Sequence, residues 1–210
     1  MPQPELRTLL VDLGNVLAFF SHEKMCRQLA EVCGVAEAEM HRLLIADGLQ
    51  WQFETGKISP EDFAARLADF GDRRPSLPEL RRAHDDIFRP NTAMVPILNS
   101  AKAAGLRLVL LSNTDPWHFS HIRDGEATAE LLAGFDAFAL SYEAGTLKPG
   151  AAIYDRALDF AGCRPEECFY VDDIAEYVTA ARDRKIQAAV FVDAEDYRRE
   201  LVERGVDLGG

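Results

Sequence analysis

Five short runs rich in apolar residues predict the strands of a buried sheet. They cover residues 7–12, 106–111, 135–140, 168–171 and 186–192. Continuous apolar runs of this length are typical of strands that are covered on both faces. Segments with helical spacing lie between most of the later runs. This alternation predicts a parallel sheet with helices on both faces.

The interval of about residues 21–88 has a different pattern, because helical periodicity continues through it without a convincing strand. Met25, Leu29 and Cys33 follow helical spacing. Ser59 before Pro60 resembles an N-cap followed by proline at the first helical position. We therefore predict an inserted all-helical cap (residues 18–88) in a doubly wound, Rossmann-like α/β core formed by residues 1–17 and 89–210.

The composition is that of a globular protein with an acidic surface. Of the 210 residues, 48% are hydrophobic, and 35 acidic against 23 basic residues give a formal net charge of -12. This charge argues against a nucleic-acid or membrane partner, although a bound cation can still attract an anionic small substrate. No apolar segment approaches the roughly 18 residues of a membrane span.

The four cysteines form no CxxC pair, and the first residues do not resemble a signal peptide. This cysteine usage is typical of free thiols in a reducing compartment, so we expect a cytoplasmic location. The sequence leaves open whether the protein is a monomer or a homodimer.

Polar residues stand where four of the predicted elements end or begin. Asp12 ends the first strand, Ser112-Asn113 follows the second, Lys148 opens a helix, and Asp172-Asp173 ends the fourth strand. A doubly wound sheet brings such ends to one edge, where α/β proteins bind ligands. Carboxylates suit a divalent cation such as Mg²⁺, while hydroxyl and ammonium groups suit phosphate oxygens. The set therefore predicts a site for a cation and a phosphate.

In order and spacing these motifs resemble the haloacid dehalogenase superfamily. The four matching segments are VDLGNV (residues 11–16), LLSNT (110–114), Lys148-Pro149 and VDD (171–173). Within that superfamily, residues 51–63 and 171–182 are similar to the glucose-1-phosphate phosphatase-like group, close to the phosphatase domain of soluble epoxide hydrolases. The resemblance covers nearly the whole chain.

The resemblance implies a Mg²⁺ site. Asp12 and Asp172 would supply carboxylate oxygens to the ion, and Gly14 would supply its backbone carbonyl. Asp173 would bind through water or orient the other ligands.

The resemblance also implies a role for each group that faces the substrate. Asp12 would be the nucleophile that forms an aspartyl-phosphate. Ser112 and Asn113 would hold the phosphate. Lys148 would pair with both the phosphate and Asp12, and so would be a catalytic and a substrate-binding residue.

Three positions depart from the superfamily pattern. Gly14 stands where many phosphatases of the superfamily have an acid that protonates the leaving alcohol. Tyr177 replaces an expected Asn, and Lys185 replaces a Gly at a helix exit that favours left-handed backbone. Without an acid at Gly14, we expect either a preference for good leaving groups or a different proton donor. The candidate donors from the sequence are His22, His118 and His121, and Glu54 is a candidate to face the site from the cap.

The leading functional prediction is a Mg²⁺-dependent phosphatase that hydrolyses a small phosphorylated metabolite, such as a sugar phosphate. One alternative is a 2-haloacid dehalogenase, which needs neither the metal nor the acid. The Asp172-Asp173 pair disfavours it, because two carboxylates repel a carboxylate substrate. A second alternative is a non-catalytic phospho-ligand-binding or regulatory relative, suggested by the departures at Gly14, Tyr177 and Lys185.

Overall fold

The computed structural model describes residues 4–209, and its strands form one large sheet and one short ribbon. The strands are β1 (Thr8–Val11), β2 (Ala18–Phe19), β3 (Arg89–Pro90), β4 (Arg107–Ser112), β5 (Ala137–Leu140), β6 (Cys168–Asp172) and β7 (Gln187–Val190). Five of them form a parallel sheet in the order β5-β4-β1-β6-β7, while β2 and β3 pair antiparallel. The predicted parallel α/β sheet is confirmed.

Eleven α-helices lie in the same part of the chain, residues 4–209. They are α1 (His22–Cys33), α2 (Glu37–His41), α3 (Leu49–Glu54), α4 (Pro60–Phe70), α5 (Leu77–Asp85), α6 (Met94–Ala103), α7 (Pro116–Asp124), α8 (Ser141–Ala144), α9 (Ala151–Ala161), α10 (Ala175–Arg182) and α11 (Ala194–Glu203). A π-helical segment covers Arg42–Ala46, and short 3₁₀ turns cover Ala129–Leu131 and Pro165–Glu167. Of these described helices, none combines the length and hydropathy needed to cross a bilayer.

Alternate residues of the central strands pack against helices on opposite faces of the sheet. Leu9 and Val11 belong to a buried cluster with residues of α6 and α11, whereas Leu10 belongs to a cluster with residues of α9 and α10. All three side chains are 0% exposed. Because successive side chains of a strand point to opposite faces, burial on both faces explains the unbroken apolar runs.

Strand register brings the predicted site residues to one edge of the sheet. Val11 is level with Val171 of β6 and with Leu110 of β4. Asp12 therefore leaves the sheet beside Asp172. Because β1 is the central strand, this edge lies where the chain connections turn to opposite sides of the sheet, the usual position of a ligand crevice.

The five helices α1 to α5 occupy the interval predicted as a cap. Their apolar residues form a buried cluster of their own, to which the core contributes Trp117. Ser59 caps α4 as expected, because its Oγ accepts a hydrogen bond from the Asp62 N–H at 3.0 Å. The β2–β3 ribbon, which the sequence pattern did not predict, pairs the two segments that join the helices to the sheet. We retain residues 18–88 as the proposed cap.

Several local features differ from the sequence pattern. Helix α9 begins at Ala151, not at Lys148. Helix α7 was not predicted, although Asp115 caps it by accepting hydrogen bonds from the N–H groups of Trp117 and His118. Lys185 adopts the left-handed conformation expected at this helix exit, with a φ of 64°. A residue with a Cβ has a steric penalty there that a glycine avoids.

Candidate active site

Lys148 lies between two buried carboxylates at the edge of the sheet. Its Nζ donates hydrogen bonds to Asp12 Oδ1 and to Asp172 Oδ2, each at 2.6 Å, and to the Leu111 carbonyl at 3.1 Å. The Lys148 side chain is 1% exposed. Ions buried to this degree are stable only when they are paired. The structure thus brings together three of the residues singled out from the sequence.

Tyr170 completes the contacts of this ammonium group. Its hydroxyl lies 3.2 Å from Lys148 Nζ and donates a hydrogen bond to Asp172. Tyr170 stands two residues before Asp172 on β6, so both side chains project from the same face. The period of a strand could have identified this residue from the sequence, but the apolar run concealed it.

Burial and neighbouring charges shift the pKa values of both Asp12 and Lys148. Burial raises the pKa of Asp12 to about 7; the charge of Lys148 lowers it, and Asp172 raises it further. Burial also opposes the charge of Lys148, but Asp12 and Asp172 together raise its pKa. The lysine therefore remains an ammonium ion at neutral pH.

Oxygen ligands suited to a divalent cation converge beside this lysine. Carboxylate oxygens of Asp12, Asp172 and Asp173 lie within 4.8 Å of one another. Asn15 orients the third of these by donating a hydrogen bond to Asp173 Oδ2 at 2.9 Å. Among residues 4–209, no hydrogen bond engages the Gly14 carbonyl oxygen. Three carboxylates against one ammonium leave excess negative charge, and hard oxygen donors are those that Mg²⁺ prefers, so the residues fit such an ion.

Asn113 holds the backbone of Lys148. Its Oδ1 accepts a hydrogen bond from the Lys148 N–H at 2.7 Å, and its Nδ2 donates to the Lys148 carbonyl at 3.2 Å. The side chain predicted to hold phosphate therefore also positions the lysine. Ser112 is 1% exposed and ends β4 in the wall of the same cavity.

Tyr177 covers the lysine from another side. Lys148 Nζ lies 5.1 Å from the centre of the Tyr177 ring, within the range of a cation–π contact. The Tyr177 hydroxyl also lies 3.4 Å from Asn113 Nδ2. The unexpected tyrosine is thus part of the packing around the ammonium group, and it displaces none of the predicted ligands.

Phe20 occupies the space that a side chain at Gly14 would need. A Cβ added to Gly14 would lie 2.8 Å from Phe20 Cε1, closer than carbon atoms ordinarily approach. The Phe20 ring therefore fills the space that a carboxylate side chain at position 14 would need.

We expect Gly14→Ala to destabilise the protein by about 1–3 kcal/mol through this overpacking. In a Phe20→Ala background the same change is expected to cost less than about 0.5 kcal/mol, because sites coupled by direct contact are not additive. Urea unfolding of the four proteins measures the coupling. Equal costs in both backgrounds would contradict the contact.

A cavity of about 230 Å³ opens above Asp12 and Lys148. The loops that follow β1, β4 and β6 form its floor. Four further residues line it from the cap and the adjoining segments: Phe20, His22, Glu54 and Phe88. A small ligand at Asp12 would therefore contact both parts of the molecule.

A second group of ionisable residues adjoins the cavity, and one of its members, His118, lines the cavity as well. His118 Nδ1 is 2.9 Å from Asp115 Oδ2, and the His118 ring stacks on that of His84 at 4.0 Å and 20°. Burial opposes the His118 charge, but Asp115 raises the pKa of His118. Imidazole nitrogens bind metals in the plane of the ring, so two nearly parallel stacked rings cannot direct both to one ion. The cluster is a buried ion pair with a neutral neighbour, His84.

Comparison with protein families identifies the family of this chain. The sequence model of the haloacid dehalogenase-like hydrolase family matches residues 6–183. The chain belongs to the haloacid dehalogenase-like hydrolase family. The motif resemblance and the prediction of a hydrolase are thereby confirmed.

Relatives of this hydrolase include named phosphatases. D-ribitol-5-phosphate phosphatase from Bacteroides thetaiotaomicron is 26% identical over 205 residues, which are 93% of this chain and 97% of that protein. A sesquiterpene phosphatase from Aspergillus oryzae is 29% identical over 132 residues, 62% of this chain and 66% of that protein. A haloacid dehalogenase family enzyme from Bacteroides thetaiotaomicron, crystallised with magnesium and inorganic phosphate, shares the fold with a TM-score of 0.80 at 23% identity, over 93% of this chain and 98% of that chain.

Proposed function

We propose that this hydrolase is a Mg²⁺-dependent phosphatase that acts on a small phosphorylated metabolite through an aspartyl-phosphate. The observation that carries the proposal is the buried Lys148 ammonium between Asp12 and Asp172, with Asp173 beside them. Lys148 fixes the Asp12 carboxylate at the cavity floor, where its free oxygen can attack phosphorus. The named phosphatases among the relatives support the same chemistry.

Asp12, Asp172, Asp173 and the Gly14 carbonyl would hold the ion. When bound, Mg²⁺ supplies positive charge that stabilises the oxygens of the transferring phosphoryl group. Lys148 would add a second positive charge, and Ser112 would offer its hydroxyl to a phosphate oxygen. Asn113 keeps the lysine in place through its two hydrogen bonds to the Lys148 backbone.

We propose a sugar phosphate or sugar-alcohol phosphate as the substrate class. Full-length similarity to an enzyme named for D-ribitol 5-phosphate supports this class. The cavity volume of about 230 Å³ suits a phosphate with a short carbon chain. Phe20 and Phe88 restrict the cap side of the cavity with apolar surface, which disfavours highly charged substrates such as nucleotides.

A panel of phosphorylated sugars, sugar alcohols, nucleotides and aryl phosphates tests the proposal, with each substrate assayed for phosphate release in Mg²⁺ and in EDTA. We expect Mg²⁺-dependent hydrolysis, with phosphorylated pentoses and pentitols ahead of nucleotides. Phosphate release that is unaffected by EDTA would contradict the metal site. Halide release from 2-chloropropionate in EDTA, without phosphatase activity, would instead establish the dehalogenase alternative.

A further inference from the structure

Glu54 brings a second carboxyl group into the cavity from the cap. It is the last residue of α3 and shares the cavity with Asp12, Ser112 and Lys148. Its Oε1 accepts a hydrogen bond from Gln50 Nε2 at 3.1 Å. No other hydrogen bond reaches this carboxyl group within residues 4–209. It therefore has an oxygen available to a ligand.

The backbone of Glu54 is fixed to the core at the phosphate-facing loop. Ser141 Oγ lies 2.7 Å from the Glu54 carbonyl oxygen, to which it donates, and it accepts a hydrogen bond from the Thr114 N–H at 2.9 Å. Two residues later, a Cβ on Gly56 would lie 2.3 Å from the Tyr142 carbonyl oxygen. This close docking holds Glu54 at a defined distance from the residues that follow β4.

The surroundings of Glu54 favour its protonated form. Burial, followed by the negative charge of Asp115, raises the pKa of Glu54 to about 7. Gln50 connects the two acids, because the same Nε2 also donates to Asp115 Oδ2 at 2.9 Å. At neutral pH this carboxyl group exists in both protonation states, which is the condition for donating and accepting protons within one cycle.

The histidines near the cavity are less suited to this task. Both ring nitrogens of His118 are engaged, Nδ1 with Asp115 Oδ2 at 2.9 Å and Nε2 with the His84 carbonyl at 3.2 Å. His22 lines the cavity at the start of α1, but burial, followed by the charge of His118, lowers the pKa of His22 to about 4, so its ring is neutral at neutral pH. His121 does not line the cavity.

We propose that Glu54 is the general acid and base of this enzyme and takes the role that Gly14 cannot perform. The assignment rests on the proposed phosphatase function. An Asp12 oxygen bonds to phosphorus while the bond from phosphorus to the leaving oxygen breaks. That oxygen keeps the electron pair and takes the proton of the Glu54 carboxyl group. Alcohol, aspartyl-phosphate and Glu54 carboxylate result.

The second half of the cycle restores both acids. A water molecule attacks the phosphorus of the aspartyl-phosphate while the Glu54 carboxylate takes one proton from it. The bond between phosphorus and the Asp12 oxygen breaks with its electron pair on that oxygen. Inorganic phosphate leaves, Asp12 is again a carboxylate, and Glu54 is again protonated.

Glu54→Gln tests the assignment, because the amide keeps the shape and cannot transfer the proton. The ratio of kcat/KM for an alkyl phosphate to that for 4-nitrophenyl phosphate is the decisive quantity, since nitrophenolate leaves without protonation. We expect this ratio to fall by about 10²–10⁴-fold, the usual contribution of a general acid. Glu61→Gln on the exposed start of α4 is the matched control, and its ratio should equal that of the wild type.

Glu54→Gln should also slow hydrolysis of the aspartyl-phosphate. We expect a burst of one equivalent of nitrophenolate and a phosphoryl adduct on the intact protein by mass spectrometry, which Asp12→Asn lacks. The assignment of Glu54 is overturned if Glu54→Gln keeps the wild-type ratio of the two kcat/KM values, or if that ratio falls in His22→Asn instead. Either result leaves the phosphatase function itself intact. If the wild-type enzyme hydrolyses no phosphate ester in Mg²⁺, the phosphatase function fails first and the assignment fails with it.

Discussion

Asp12→Asn is expected to lower phosphate-ester hydrolysis by about 10⁴-fold or more, as removal of a nucleophile does in other covalent enzymes. The amide cannot form the acyl phosphate, while it keeps the size of the carboxylate. The measurement is kcat/KM for the best substrate of the panel in Mg²⁺. Residual activity above about 1% of the wild-type value would contradict a nucleophilic role. Such activity would mean a loss of less than about 10²-fold, which is smaller than the 10²–10⁴-fold that even a general base contributes.

The same variant should not unfold the protein. Burial raises the pKa of Asp12 to about 7, whereas an unfolded chain has a value of about 3.9. A raised folded-state pKa means that the metal-free protein loses stability as the pH rises from about 4 to 7. The amide of the Asp12→Asn variant lacks this titration. In EDTA we expect the stability of the variant relative to the wild type to be highest above pH 7 and to decline towards pH 4, as measured by urea unfolding.

Lys148→Met is expected to have the second largest effect, on both activity and stability. Removing one partner of a buried ion pair typically costs about 3–5 kcal/mol. Here the change leaves Asp12 and Asp172 facing each other, since Lys148 Nζ lies 2.6 Å from both. Loss of its positive charge at the phosphoryl group should lower kcat/KM by about 10²–10³-fold.

The pH dependence separates this electrostatic account from simple loss of packing. Without the lysine, the folded-state pKa of Asp12 rises further, so more of the stability is lost at pH 8 than at pH 5. Added Mg²⁺ should recover part of the loss at pH 8, because binding to the folded state alone stabilises it. The exposed Lys185→Met serves as the control for the substitution itself. A loss that is equal at both pH values would show that packing, not charge, dominates.

The sequence predicted the sheet and the floor of the site because both depend on local pattern. Buried strands leave continuous apolar runs, and the residues that end them, Asp12, Ser112 and Asp172, meet through the register of parallel strands. Each prediction needed only a strand and its last residue. The parallel sheet is confirmed, and the structure brings Asp12 beside Asp172 as that reasoning requires.

What the sequence did not predict depends on contacts between distant segments. Tyr170 had no polar neighbour to mark it within an apolar strand. The two hydrogen bonds between the Asn113 side chain and the Lys148 backbone join residues 35 positions apart. Phe20 and Gly14 compete for one volume that no periodicity describes. Glu54 was not among the candidate proton donors, which were three histidines, because nothing local distinguishes a carboxyl group at a helix end that faces a cavity from one that faces solvent.

The Ser141 hydroxyl has a consequence for how such enzymes diversify. It joins the Glu54 carbonyl to the Thr114 N–H, and the neighbouring Tyr142 carbonyl tolerates only a glycine at position 56. The cap is therefore not a free module that recombination could exchange between relatives. A chimera that transplants residues 18–88 would hold the proposed proton donor Glu54 in position only if the recipient supplies the same hydroxyl and the same backbone path after its fifth strand.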